Sequence, residues 1–125
     1  MKALLVDTHT LLWWRTNESR LGASALAAIE DATVPVFFSV ASVWEIAIKR
    51  AKGKLQVPDR LLETMQQRGF AELPVRAHHA ILAGALPRHH GDPFDRMIVA
   101  QAECEELTVV TRDPRIGAYG VPVLW

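Results

Sequence analysis

The strongest constraint in this sequence is its first apolar run. Lys2-Ala-Leu-Leu-Val-Asp7 places four apolar residues side by side, Ala3 to Val6. A run without alternation reads as a strand buried on both faces, as in the middle of a parallel sheet. A charge at the end of such a strand needs a task, and Asp7 stands there. In open α/β sheets, ligands bind outside the carboxyl ends of the strands, where the strand order reverses. A central first strand therefore aims Asp7 into that crevice.

The rest of the chain supplies the layers. Thr8 to Arg15 reads as a helix, and Asn17 to Gly22 as a polar break. Ala23 to Ala32 reads as an alanine-rich amphipathic helix. Val34 to Ser39 is a second strand, with Pro35 suited to its start. A helix to about Ala51 follows, capped by Ser39 or Ser42 and stopped at Gly53. Pro58-Asp59 opens another helix, capped by Asp59 and ended near Gly69. Phe70 to Val75 is a short strand that Pro74 assigns to an edge. Arg76 to Leu86 is helical, and Pro87 to Gly91 is a loop. Asp92 as N-cap with Pro93 at the first helical position starts a helix to about Glu106. Leu107 to Thr111 and Val121 to Leu124 complete the strands. Strands alternating with helices imply an α/β fold with a parallel sheet and right-handed crossovers.

At 125 residues the chain is expected to form one domain, 1–125, with helices on both faces of the sheet. No apolar run approaches the roughly 18 residues that span a bilayer, so no membrane association is expected. A secretory signal is not evident. Cys104 is alone, which excludes an internal disulfide framework and suits a reducing, cytoplasmic compartment. Acidic and basic residues balance at 14 each, so nucleic-acid binding would need a local basic patch.

Four carboxylates share one address. Asp7 and Asp113 end strands; Glu45 and Asp95 lie in the first turns of helices that open at, or pack over, the same edge. Each has a plain structural reading. Asp7 can cap the following helix, Glu45 can pair with Lys49 four residues on, Asp95 can complement a helix N-terminus, and Asp113 before Pro114 can be a turn residue. Gathered together, such charges cannot all ionise unless a cation neutralises them. Oxygen ligands select a hard divalent ion, Mg²⁺ or Mn²⁺, which can activate water against a phosphodiester. Arg96 and Arg112 adjoin the acids and are candidates to contact phosphate or to pair with them; Thr111 can fix Asp113 by a hydrogen bond. Asp92 reads as a cap that could also reach metal or water. His78 and His79 are adjacent on a helix and so are expected not to share a face or chelate. One cysteine and no ligand-spaced histidine pair argue against a zinc site.

With those residues laid out, the chain resembles the PIN-domain ribonucleases, and within them the VapC-type toxins of bacterial toxin–antitoxin pairs. The resemblance rests on four segments in order: Leu5-Val-Asp7-Thr-His-Thr-Leu-Leu-Trp13; Ser39-x-x-Ser42-x-Trp-Glu45-Ile-Ala-Ile-Lys49 with Gly53-Lys-Leu55; Leu86-Pro-x-x-His90-x-Asp92-Pro-Phe-Asp95-Arg-x-x-x-Ala-Gln-Ala102; and Thr111-x-Asp113. It implies a three-layer α/β/α fold around a parallel sheet of four to five strands. It implies a Mg²⁺- or Mn²⁺-dependent endoribonuclease whose metal-binding and catalytic acids are Asp7, Glu45, Asp95 and Asp113. It further implies an RNA substrate such as tRNA, a homodimer, and a cognate antitoxin. Two other classes stay open on the residues alone: a Mg²⁺-binding phosphoacceptor domain, against which Thr8 stands where a second acid is usual, and a binding module whose acids are structural.

Overall fold

The structure, a computed structural model, describes residues 3–53, 57 and 60–125. In chain order they form β1 (Leu4–Val6), α1 (Thr8–Thr16), a 3₁₀ turn (Glu18–Arg20), α2 (Ala23–Glu30), β2 (Val36–Ser39), α3 (Val40–Ala51), α4 (Leu61–Gln67), β3 (Ala71–Leu73), α5 (Ala77–Ala85), α6 (Pro93–Glu105), β4 (Thr108–Val110), α7 (Pro114–Gly117) and β5 (Val123–Leu124). The opening expected at Pro58-Asp59 lies outside the described residues.

The five strands form one sheet in the order β3-β2-β1-β4-β5, and every pairing is parallel. β1 is the middle strand, as its unbroken apolar run requires. Successive side chains of a strand point to opposite faces. Leu4 and Val6 accordingly enter one buried cluster with Leu11, Trp14 and Phe38, while Leu5 enters the other with Ile98, Val99 and Val109. The chain builds β2 and β3 on one side of β1, then crosses to β4 and β5 on the other. The strand order therefore reverses between β1 and β4, which places the crevice beside Asp7.

Local signals set most boundaries. Ser39 caps α3, its hydroxyl accepting from the Ala41 N–H at 3.0 Å. Gly53 leaves that helix in the left-handed region, at φ 67°. β3 is an edge strand, consistent with Pro74 at its end. Two short elements were not anticipated: the 3₁₀ turn Glu18–Arg20 inside the polar break, and α7, a single turn capped by Asp113. A carboxylate followed by proline serves a turn or a helix start equally well, and here the chain continues into a helix.

Two contacts hold the layers in register. Gln101, fully buried on α6, accepts from the Ser39 hydroxyl and donates to the Pro74 carbonyl at 3.2 Å. It thereby ties α6 to the ends of β2 and β3. On the opposite face the Trp125 carbonyl accepts from the Ala25 N–H at 3.1 Å and lies against Gly22. A Cβ at position 22 would overlap that carbonyl. We expect Gly22→Ala to cost about 1–3 kcal/mol, the usual scale for forced overpacking. A lower urea midpoint at unchanged slope is the expected result; an unshifted midpoint would mean that the chain end yields freely.

Candidate active site

The site starts at Asp7. Its N–H donates to the Val110 carbonyl at 3.2 Å, so β1 and β4 stay paired up to the crevice. Its carboxylate accepts from the Thr10 N–H at 3.0 Å and caps α1. The residue is 5% exposed. Burial raises its pKa above the ordinary carboxylate value; hydrogen bonds from Thr10 and Thr111 oppose the rise without cancelling it. Neither Lys nor Arg pairs with Asp7 among the described residues. Capping a helix and holding a desolvated charge are thus not alternatives here: Asp7 does both.

Asp113 follows β4 across the same crevice and shares an open cleft with Asp7. Its N–H donates to Thr111 Oγ1 at 3.0 Å, the support expected of Thr111. Arg115 grips its carboxylate with Nε at 3.1 Å and Nη2 at 2.9 Å, and its backbone N–H adds a third bond at 2.9 Å. These bonds, the Arg115 side chain first, lower the Asp113 pKa. Asp113, expected as a turn residue, is instead the cap of α7 and an ionised carboxylate at the cleft.

Asp95 comes from the first turn of α6. Asp92 caps that helix, its Oδ1 accepting from the N–H groups of Phe94 at 2.8 Å and Asp95 at 3.2 Å. Burial first, then repulsion from Asp92 and Asp7, pushes the Asp95 pKa up to about 6. Its Oδ2 lies 2.7 Å from His90 Nε2, which is also 3.9 Å from Asp113 Oδ2. His90 Nδ1 faces the Asp92 N–H at 3.4 Å. An acceptor at Nδ1 leaves the proton on Nε2, so His90 donates to Asp95. One ligand atom each from His90, Asp95 and Asp113 lie within 4.8 Å of one another.

Glu45 stands one step back. Its Oε1 accepts from the Thr8 hydroxyl at 2.8 Å, and Thr8 Oγ1 is also 2.9 Å from Ser42 Oγ. Its Oε2 pairs with Lys49 Nζ at 2.7 Å, the i,i+4 bridge that the sequence offered as its plain role. Lys49 is nevertheless part of the same field: Glu45 first, and more distantly Asp92 and Asp95, raise its pKa.

Two expectations change, and one residue joins the site that was not among the candidates. Arg96 is not available to phosphate or to the acids. Its guanidinium donates to the carbonyls of Ala83 and Leu86 at 2.9 Å, Pro87 at 3.0 Å and His90 at 3.4 Å, and to the Tyr119 hydroxyl at 3.3 Å. It therefore locks the loop that carries His90. The added residue is His90 itself. It sat inside the quoted motif, yet only folding brings a loop residue between Asp95 and Asp113. The second change concerns His78 and His79, which do converge. Their rings are 4.2 Å apart and their Nε2 atoms lie 3.5 and 2.9 Å from Glu105 Oε2. They occupy the first turn of α5, where the last turn of α6 packs against both. His79 Nδ1 accepts from the Arg76 N–H at 3.0 Å, so Nε2 keeps its proton for Glu105. That tautomer disfavours a metal at this nitrogen even with Cys104 nearby.

The donor set at the crevice is suited to a hard cation. Asp95 and Asp113 bring carboxylate oxygens together beside His90. Asp7 lies outside that cluster, lines one cleft with Asp113, acts on Asp95 through its charge, and is buried without a base of its own. A divalent ion would supply what Asp7 lacks.

Comparison with known proteins agrees with this geometry. The family model of the PIN domain matches residues 4–121. Ribonuclease VapC22 of Mycobacterium tuberculosis is 32% identical over 127 residues, covering 98% of this chain and 95% of the relative. Among solved structures, DNA-bound VapBC from Salmonella typhimurium superposes with a TM-score of 0.71 at 20% identity, covering 99% of this chain and 98% of that one. FitAcB from Neisseria gonorrhoeae gives 0.66 at 21%, covering 98% and 96%. With the parallel sheet, the carboxylate crevice and the family match running over nearly the whole length, the chain belongs to the PIN-domain family.

Proposed function

We propose that this protein is a metal-dependent endoribonuclease that hydrolyses RNA phosphodiester bonds. It acts as the toxin of a toxin–antitoxin pair, with tRNA or another structured RNA as target. The observation that carries the reading is the buried Asp7 carboxylate, unpaired with Lys or Arg among the described residues, which shares a cleft with Asp113 and raises the pKa of Asp95 by its charge. The ribonuclease relative supports the reaction class, and the VapBC complexes among fold relatives support an antitoxin partner. A homodimer is part of the proposal.

Asp7, Asp95 and Asp113 would hold Mg²⁺ or Mn²⁺, directly or through water, and Glu45 would complete the set or help to activate the attacking water. The ion, when bound, polarises the phosphate and lowers the pKa of water. The chain's own residues do the positioning. His90 aims Asp95. Thr111 and Arg115 fix Asp113. Thr8 and Lys49 hold both oxygens of Glu45. Asp92 remains the cap of α6. Because these partners occupy particular lone pairs, little side-chain reorganisation is needed when substrate enters.

Asp7→Asn keeps a good helix cap while removing the buried charge. We expect it to lower metal-dependent cleavage of total RNA by at least about 10²-fold, the scale on which a single preorganised electrostatic group acts. Its melting temperature should stay near that of the parent. Equal cleavage by parent and variant would refute the assignment.

Metal binding should also be visible without catalysis. The raised pKa of Asp95 means that the folded state holds an extra proton between the ordinary value of 3.8 and about 6. Stability of the metal-free protein from this group therefore falls as pH rises through that window, because the unfolded state releases the proton earlier. Mg²⁺ needs the ionised form. Its stabilising effect, roughly 2.7 kcal/mol at 100 times Kd, should accordingly grow as pH rises through about 6. A thermal-shift series in Mg²⁺ and in Mn²⁺ measures this. Melting curves indifferent to both ions at every pH would exclude the proposed site.

A further inference from the structure

The arginines near the carboxyl edge divide into two kinds. Arg96 is spent on main-chain carbonyls and Arg115 on Asp113. Arg20 and Arg112 enter no ion pair among the described residues. They come from the 3₁₀ turn after α1 and from the segment after β4, yet both lie against one indole. The guanidinium carbon of Arg20 is 4.6 Å from the Trp13 ring centroid, and that of Arg112 is 5.5 Å from it. Trp13 is held in turn by Trp125, edge-on at 6.0 Å, and by His9 at 5.9 Å. Trp13, His9, Arg20 and Arg112 line an open cleft of about 430 Å³ together with Asp7 and Asp113.

Charge makes this rim informative. The chain has 14 acidic and 14 basic residues, so no overall field attracts a polyanion. The crevice itself repels one, since its walls are carboxylates. A nucleic-acid strand can place one phosphate there only if neighbouring phosphates meet cations. Two guanidiniums without carboxylate partners, beside that crevice, meet this need. Stacking on an indole attracts each guanidinium to the ring face and narrows the rotamers each arginine must lose on binding. The planar fork of a guanidinium also matches phosphate oxygens.

We propose that Arg20 and Arg112, ordered by Trp13, form a backbone subsite that takes a phosphate of an RNA strand next to the one entering the carboxylate crevice. The proposal rests on the nuclease reading of that crevice. Arg20 and Arg112 bind the strand directly; Trp13 is a positioning residue that acts through them.

Binding of a short fluorescein-labelled oligouridylate, followed by anisotropy across a salt series, tests it. The reference protein is Asp7→Asn, which leaves the probe uncut. Against that reference, Arg20→Gln and Arg112→Gln should each weaken binding and flatten the slope of log K against log salt by about 0.7, the value for one lost phosphate contact on a single strand. Trp13→Leu should weaken binding with the slope unchanged, because both charges remain, and Trp13→Phe should recover most of the loss. Unaltered slopes in both arginine variants overturn the proposal, as does an absence of probe binding. Displacement of the probe by polyglutamate at lower concentration than by unlabelled RNA also overturns it, since the rim would then be a site for protein carboxylates. Cleavage by the parent is scored separately. A parent that cuts no RNA while the slopes fall removes the nuclease reading and leaves an RNA-binding rim. A parent that cuts RNA with unaltered slopes removes the rim alone.

Discussion

A buried carboxylate without a base of its own sets the terms for the whole crevice. β1 is paired on both edges and covered on both faces, so its carboxyl end can be approached only from the crevice side. Asp7 stands at that end and is desolvated by its surroundings. Two of the other acids are paired with a permanent cation, Glu45 with Lys49 and Asp113 with Arg115, whereas Asp95 receives a hydrogen bond from His90 and still has a raised pKa. Asp7 and Asp95 are thus the acids left without a permanent cation, and for Asp7, buried as deeply as it is, an unpaired charge is costly. A cation drawn into the crevice would supply the charge that Asp7 lacks.

The plain structural roles of these residues and their proposed chemical ones use the same geometry. Asp7, Asp92 and Asp113 each cap a helix. Helix N-termini favour negative charge, by about 0.3–1 kcal/mol each when exposed. In a parallel α/β sheet the helices start at the edge where the strands end. Caps and crevice acids are therefore gathered by one topology, and a residue can serve both without extra cost. A capped carboxylate is also a fixed one, which suits a site that must not reorganise when substrate arrives.

Support for the crevice comes from groups that do not themselves belong to it. Arg96 gathers four carbonyls around the turn between α5 and α6, and Tyr119 both accepts from the His90 N–H and donates to the His90 carbonyl. Together they set where the imidazole stands. Gln101 does similar work at the strand ends, joining α6 to Ser39 and Pro74. Removing such a group would move the acids without touching them.

Much of this was legible from local pattern. The unbroken run of Ala3 to Val6 marked a central strand, Pro74 an edge, and Ser39, Gly53 and Asp92-Pro93 the ends of helices, because each of those signals depends on neighbours within a turn or two. The same reasoning led to the four acids, since their address follows from strand order. It did not place His90 between Asp95 and Asp113, or withdraw Arg96 from the acids. Nor did it join His78 and His79 through Glu105, or bring Arg20 and Arg112 to one indole. Each of those outcomes depends on which side chains meet across helices and strands far apart in the chain. Where a strand runs is decided by hydrophobic period, which the residues carry themselves; which base answers which acid is decided by distances that exist only after the sheet has closed its layers around them.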